Sequence, residues 1–159
     1  MATSNKLISV QHLVKEYNHG TVKALNDCNL DISQGEVVAI IGPSGSGKST
    51  LLRSLNLLEE PTSGQIFFDG VDLADKSVDI NLHRQKMGMV FQHFNLFPHK
   101  TVLQNITMAP LALKKKSPEE AQKQAMELLE RIGLADKANE YPNMLSGGQK
   151  QRIGIVRAL

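Results

Sequence analysis

The sequence predicts an α/β fold in which a strand–loop–helix unit adjoins an antiparallel β edge and a helical insert. The strand is residues 37–41, an uninterrupted apolar run typical of a buried parallel strand. The β edge is indicated by residues 7–17 and 27–32, two strand-like segments joined by a polar turn. From Phe94 onwards the apolar residues recur at helical spacing, so we expect helices there.

Turn and capping signals predict the remaining elements. Residues 65–69 form a further strand that ends in an Asp-Gly turn, and residues 81–86 form a short helix before a strand that ends at Phe91. Ser117 starts a capping box with proline at the first helical position, and Gly133 suits the end of that helix.

The first chemical motif is residues 42–50, which match G-x-x-x-x-G-K-[ST] between a predicted strand and a predicted helix. Its glycines let the backbone approach phosphates closely, and the loop amides and helix N-terminus direct partial positive charge at an anion. Lys48 can reach the β- and γ-phosphates of ATP, the Ser49 hydroxyl is expected to ligate Mg²⁺, and Thr50 supports the α-phosphate side. A glycine-rich surface turn is the alternative, which the complete motif disfavours. The residues predicted to bind the nucleotide are Gly42, Pro43, Ser44, Gly45, Ser46, Gly47, Lys48, Ser49 and Thr50.

A second glycine turn, Leu-Ser-Gly-Gly-Gln at residues 145–149, precedes another helical pattern. Ser146 can cap that helix, and the glycines again allow close approach of an anion to a helix N-terminus. Taken alone, ordinary helix capping explains such a turn equally well.

Together, the two motifs resemble the ATP-binding subunit of ABC transporters, and the resemblance covers essentially the whole chain. It implies a P-loop NTPase core and a homodimer of such subunits. In that dimer the second motif of one copy contacts the nucleotide of the other. It also implies that Tyr17 stacks on adenine, although an aromatic residue at a strand end packs on the core equally often. The residues implied to act in trans are Ser146, Gly147, Gly148 and Gln149.

The same resemblance gives Gln92 a role as the glutamine that contacts Mg²⁺ and the attacking water and senses the membrane partner. A solvated loop amide is the alternative. The implied catalytic residues are Lys48 and Gln92, and the implied metal ligands are Ser49 and Gln92.

Residues 56–64 and 87–99 look like the corresponding stretches in bacterial importers of polar amino acids. An importer of another solute, or a soluble ABC-type ATPase, is the alternative. The implied partners are integral membrane permease subunits and, indirectly, a solute-binding protein. Phe94, Phe97 and Pro98 are candidates for the permease contact, although packing within the insert explains them equally well.

Composition restricts the function classes. A formal net charge of +2 is too small to indicate a nucleic-acid partner, and one cysteine, Cys28, excludes an internal disulfide and predicts a core thiol. No apolar stretch approaches the roughly 20 residues of a membrane span, and the N-terminus lacks an apolar secretion segment. We therefore expect a cytosolic protein. The permease partner that the resemblance implies would make it a peripheral protein on the cytoplasmic side of the plasma (inner) membrane. The five histidines lack metal-ligand spacing.

In the family that the motifs resemble, an apolar strand ending in Asp-Glu follows the second motif. The 159 residues contain no such strand after residue 149. We therefore expect a P-loop core whose C-terminal part is missing, divided into a nucleotide-binding part, residues 1–93, and a helical subdomain, residues 94–159. The parent protein is expected to hydrolyse ATP, and this chain to be inactive or nearly so.

Overall fold

A computed structural model describes residues 6–159. The chain divides into two compact units, of which the first ends at Met87 and the second spans Gly88–Leu159. The functional division predicted at residues 93 and 94 stays a prediction.

The first unit is built on one antiparallel sheet. Its strands are β1 (Lys6–Tyr17), β2 (Val22–Ser33), β3 (Ser63–Phe68) and β4 (Val71–Asp72), in the order β2-β1-β3-β4. The alternation of apolar and polar residues places one face of this sheet on a core. The buried residues of that core are Val10, Leu13, Leu25, Ile66, Phe68 and Leu73.

Two short helices complete the first unit. Helix α1 (Lys48–Ser54) follows the glycine-rich loop, and α2 (Ile80–Arg84) begins at Asp79, whose carboxylate accepts a hydrogen bond from the Asn81 amide. Both helices were predicted. Cys28 is half-buried and packs against the core of the sheet, which agrees with its predicted role.

The buried parallel strand predicted for residues 37–41 is wrong. These residues form no strand, and the side chains of Val37 and Ile41 are 97% and 93% exposed. A buried parallel strand takes its hydrogen bonds and its packing from neighbours, and within residues 6–159 every strand belongs to the antiparallel sheet. The strand predicted to end at Phe91 is wrong for the same reason, since residues 88–91 are not in a sheet.

The second unit is helical, as predicted. It contains α3 (Val102–Ala112), α4 (Pro118–Arg131) and α5 (Gly147–Ala158), with short 3-10 turns at Ala135–Lys137 and Pro142–Met144. Apolar stripes of the three helices bury a common core. Its buried residues are Val102, Ile106, Ala125, Leu129, Leu134, Ala138, Leu145, Ile153 and Val156.

Side-chain caps fix where these helices begin. The Ser117 hydroxyl accepts from the Glu120 amide at 3.2 Å, and the Glu120 carboxylate accepts from the Ser117 amide at 2.9 Å, which confirms the predicted capping box. Thr101 and Gln104 form an equivalent box at the start of α3, which was not predicted. Gly133, with φ of 66°, follows the end of α4 as predicted.

Candidate nucleotide-binding site

The glycine-rich loop lies directly against strand β2. Gly47, the residue before α1, has φ of 86°, a conformation that L side chains rarely adopt. A Cβ atom at Gly47 would lie 2.2 Å from the carbonyl oxygen of Ala24 and 3.2 Å from a methyl group of Leu25. The close approach of loop and strand therefore requires glycine at this position.

Lys48 turns back over the loop that precedes it. Its ammonium group donates to the carbonyl oxygens of Gly42 and Pro43, at 2.9 and 2.6 Å, and lies 3.3 Å from the Ser46 hydroxyl. The loop thus surrounds a half-buried cation with neutral acceptors. An ammonium group on a flexible stem can exchange such acceptors for the oxygens of a phosphate, which carry full negative charge.

The start of α1 differs from the starts of the longer helices. Ser or Thr side chains cap α3, α4 and α5, whereas the residue before α1 is Gly47, which has no side chain with which to cap the helix. The first amides of a helix point outward and need acceptors. Because the loop is exposed from Gly42 to Ser46, an anion can reach these amides from solvent.

Tyr17 ends β1 and pairs with Val22 across the β1–β2 hairpin. Its ring is half-buried, and the Lys15 ammonium lies 5.0 Å from the ring centroid, close enough for a cation–π contact. Gly47 touches Ala24, two residues beyond Val22 along the same strand. Tyr17 and the glycine-rich loop therefore border the same end of β2.

The second glycine turn starts α5. The Ser146 hydroxyl accepts from the Gln149 amide at 3.3 Å, and the Gln149 side-chain oxygen accepts from the Ser146 amide at 2.8 Å. This capping box accounts for Ser146 and Gln149 in structural terms. It leaves Gly147 and Gly148 unexplained, because a Cβ atom on either would meet no described atom within 4 Å.

Comparison with known proteins identifies the family. The family model described as ABC transporter matches residues 25–159. This chain belongs to the ABC transporter family. The resemblance inferred from the two glycine motifs is thereby confirmed, as is the presence in this chain of an ATP-binding domain.

Curated relatives of this ABC family member are transport ATP-binding proteins. The glutamine transport ATP-binding protein of Geobacillus stearothermophilus is 56% identical over 148 residues, which cover 93% of this chain and 61% of that protein. The glutamate/aspartate import ATP-binding protein of Escherichia coli (strain K12) is 46% identical, over 96% of this chain and 63% of its own length. The chain thus spans less than two thirds of the length of these relatives.

Solved structures confirm the fold class. The dimeric structure of MJ0796, a bacterial ABC transporter cassette, matches with a TM-score of 0.85 and 42% identity, over 96% of this chain and 68% of that one. A second dimeric structure of the same cassette, in a post-hydrolysis state bound to ADP and Pi, gives a TM-score of 0.84. The α/β P-loop cassette predicted from the sequence is therefore correct.

In this cassette Gln92 lies in the second unit, exposed in a turn. Two non-glycine residues with left-handed backbone follow it, Phe94 with φ of 54° and Asn95 with φ of 46°. The carbonyl oxygens of both accept hydrogen bonds from the Arg157 guanidinium, at 3.1 and 2.6 Å. Arg157 was not predicted, because an arginine near the end of a helix has no distinctive sequence signal.

Asn105 organises the rest of this loop. It is 1% exposed, its side-chain oxygen accepts from the Phe97 amide at 2.7 Å, and its side-chain nitrogen donates to the carbonyls of Phe97, Lys100 and Thr101. A buried amide with all these partners fixes the loop rigidly. The signal for it was available, because Asn105 interrupts the apolar face of α3. The Phe97 side chain remains 38% exposed.

Metal-ligating side chains do not cluster in the part of the chain that the structure describes: no group of three or more His, Cys, Asp or Glu residues could hold an ion there. None of the helices in residues 6–159 has the length and apolar character needed to cross a bilayer.

The predicted site residues are divided between the two units. The first unit contains Tyr17 and residues 42–50, and the second contains Gln92 and residues 146–149.

Proposed function

We propose that the whole protein is the ATP-binding subunit of an ABC importer of polar amino acids, which uses ATP-driven dimer closure and ATP hydrolysis to move its membrane partner. The observation that carries this proposal is the exposed phosphate loop, in which Gly47 precedes α1 and the Lys48 ammonium is held over the loop. The solute class is supported by relatives whose names specify glutamine, arginine or glutamate/aspartate.

In this proposal residues 42–50 bind ATP in cis. Lys48 moves from the loop carbonyls to the β- and γ-phosphates, and the half-buried ring of Tyr17 stacks on adenine. Mg²⁺ in nucleotide sites is usually bound by one or two protein oxygens together with phosphates and water. We assign to this ion, from the family resemblance, the Ser49 hydroxyl, exposed in the first turn of α1, and the Gln92 amide oxygen, on an exposed turn of the second unit. The ion would neutralise phosphate charge.

Residues 146–149 act in trans, on ATP bound to a second copy of the subunit. Two features of the turn support this role: Gly147 and Gly148 leave open space at the start of α5, and Ser146 presents its capping hydroxyl there. Helix N-termini attract anions. Similar cassettes have been solved as dimers.

The remaining partners are integral membrane permease subunits and, through them, a solute-binding protein. Residues 1–93 act as the nucleotide-binding part, and residues 94–159 form the helical subdomain that meets the permease through Phe94, Phe97 and Pro98. Phe97 is 38% exposed, which supports its availability for such a contact. The protein is then peripheral, on the cytoplasmic side of the inner membrane.

Lys48 provides the first test. We expect the chain to bind MgATP and the Lys48→Ala variant to bind it at least about tenfold more weakly, because hydrogen bonds to charged groups contribute about 1.5–3 kcal/mol. Isothermal titration calorimetry measures both affinities. The control is Lys76→Ala, an exposed lysine of the same unit, which should bind like the unaltered chain. Equal affinity in the Lys48 and Lys76 variants would contradict the proposed loop chemistry.

ATP hydrolysis makes demands on the site beyond nucleotide binding. Transfer of a phosphoryl group to water needs a positioned water and a carboxylate framework for Mg²⁺. We propose that Lys48 and Gln92 serve hydrolysis in the whole protein, and that the 159-residue chain by itself binds ATP without turnover. Steady-state phosphate release by the chain that disappears in Lys48→Ala would overturn this part of the proposal.

A further inference from the structure

The backbone after Gln92 adopts a conformation that needs support. Phe94 and Asn95 are consecutive residues with positive φ, at 54° and 46°. Side chains other than glycine disfavour this region of backbone space, so such a pair persists only where surrounding contacts hold it. The contacts that hold it come from α5.

Arg157 supplies the first of these contacts. One guanidinium nitrogen donates to the Asn95 carbonyl at 2.6 Å and another donates to the Phe94 carbonyl at 3.1 Å. The same guanidinium carbon lies 5.8 Å from the centroid of the Phe97 ring. A planar guanidinium can direct two donors at two neighbouring carbonyls, which a lysine ammonium cannot do with the same geometry. Burial lowers the pKa of the Arg157 guanidinium, as expected for a cation partly removed from water.

The same helix approaches this segment on either side of Gln92, and glycine is required on one of the two sides. A Cβ atom at Gly154 of α5 would make ordinary contact with Phe94, at 3.6 Å from its Cβ atom. Before Gln92, a Cβ atom at Gly88 would lie 2.3 Å from the Ala158 carbonyl oxygen, so the two backbones meet there. Gln92 therefore sits on an exposed turn whose two flanks rest against the C-terminal half of α5.

We propose that Arg157 is a positioning residue that anchors the segment carrying Gln92 on α5, so that Gln92 and the helix beginning at Gly147 form one rigid piece. A displacement of Gln92 would then be passed directly to α5 and to the Ser146 end of that helix. The assignment of Gln92 to Mg²⁺ and to the attacking water, which is needed only when a γ-phosphate is present, rests on the proposed function, whereas the anchoring by Arg157 does not.

Loop mobility tests the anchoring without nucleotide. A nitroxide label is placed at residue 93 through His93→Cys in a Cys28→Ala background, which leaves Gln92 intact. We expect the electron paramagnetic resonance spectrum to show faster label motion in Arg157→Met and Arg157→Lys. The matched control is Arg152→Met, because Arg152 is on the same helix but donates to the Ile132 carbonyl, at 2.8 Å.

Unchanged label motion in a folded Arg157 variant would overturn the proposal, as would equal loosening by Arg152→Met. Circular dichroism establishes that each variant is folded. If Arg157→Met unfolds, the Arg157→Lys variant decides, because it keeps the charge and most of the aliphatic stem and loses only the two-donor geometry.

Nucleotide discrimination tests the consequence for Gln92. Calorimetry gives the ratio of MgATP to MgADP affinity, and we expect Arg157→Lys to lower that ratio about threefold to tenfold, the effect of one hydrogen bond, with MgADP affinity unchanged. Arg152→Lys should leave both affinities unchanged. A ratio unaltered by Arg157→Lys contradicts the positioning role. Failure of the unaltered chain to bind either nucleotide overturns the proposed function instead, and the label measurements still decide the anchoring.

Discussion

The two glycine turns of this cassette look alike in sequence but stand in opposite relations to the fold. Gly47 has left-handed backbone and lies so close to β2 that a Cβ atom would be 2.2 Å from the Ala24 carbonyl. Gly147 and Gly148 lie in the first turn of α5, where a Cβ atom would meet no described atom within 4 Å. The fold itself requires glycine at residue 47 and does not require it at residues 147 and 148.

Glycine therefore occurs in the two turns for different reasons. In the first turn, glycine lets the chain bring the loop and β2 together, so the phosphate loop depends on the packing of its own unit. In the second turn, glycine lowers helix stability relative to alanine without any internal compensation. The open space beside α5 is therefore best explained by a molecule that approaches from outside, which is the role proposed for residues 146–149.

The largest expected effect comes from breaking the first turn. Gly47→Ala should lower the free energy of unfolding by about 2–4 kcal/mol, because left-handed backbone costs about 1–2 kcal/mol for an L residue and the new methyl group also meets the β2 backbone. Urea denaturation followed by circular dichroism measures the loss. Nucleotide affinity should fall with it.

The matched control is Gly35→Ala. Gly35 has a similar φ of 79°, but a Cβ atom there meets no described atom within 4 Å, so the substitution adds strain without a clash. We expect a loss of about 1–2 kcal/mol. Equal losses of unfolding free energy in the two variants would mean that the close approach of Gly47 to β2 adds nothing to the cost of the substitution.

Replacing glycine by alanine in the second turn should have the opposite effect on stability. Gly148→Ala should raise the free energy of unfolding by about 0.5–1 kcal/mol, since alanine is the better helix former and no described atom obstructs its methyl group. In the whole protein the same methyl group should weaken ATP-dependent dimer formation, measured by light scattering in MgATP and in MgADP.

Gly154→Ala separates these two consequences. Gly154 lies within α5, its new methyl group would make only ordinary contact with Phe94, and it is far along the helix from the turn. We expect it to stabilise the helix while leaving dimer formation unchanged. If Gly148→Ala also left dimer formation unchanged, the result would contradict the proposal that residues 146–149 contact ATP bound to a second copy.

How far the sequence predicts the structure depends on whether the interactions are local. The capping box at Ser117, the cap at Ser146, the β1–β2 hairpin and the loop–helix unit at Lys48 depend on residues that are neighbours in sequence, and all four were predicted. The reciprocal contact from Gln149 and the capping box at Thr101 were not predicted. Residues 37–41 were predicted wrongly, because an apolar run indicates burial only if other strands cover it.

Long-range polar contacts were beyond prediction for a different reason. Arg84 donates to the carbonyls of Asn56 and Leu57, and Leu57 has φ of 53°. Arg157 does the same for Phe94 and Asn95, 63 and 62 residues earlier in the chain. Each arginine holds a left-handed backbone whose position only the folded structure reveals, so no spacing rule could have identified either.

The smallest expected effect sharpens the comparison between helix starts. The pKa of Glu119, in the first turn of α4, is lowered by its own backbone amide and then by the Ser117 hydroxyl. The capping box of α5 uses the neutral Gln149, and its first turn contains no acidic residue. Acid should therefore weaken the start of α4 and leave the start of α5 unchanged.

The sign follows from the direction of that shift. Since the pKa of Glu119 is lower in the folded chain than the value of about 4.3 expected when unfolded, its contribution to stability is present above about pH 4.3 and is lost as the pH falls through the folded value. An NMR titration from about pH 5 to pH 3 should move the amide resonances of the first turn of α4 and leave that of Gln149 in place, and Glu119→Gln should remove part of the change in α4. Equal titration of both helix starts would show that the acidic turn of α4 does not distinguish it from α5.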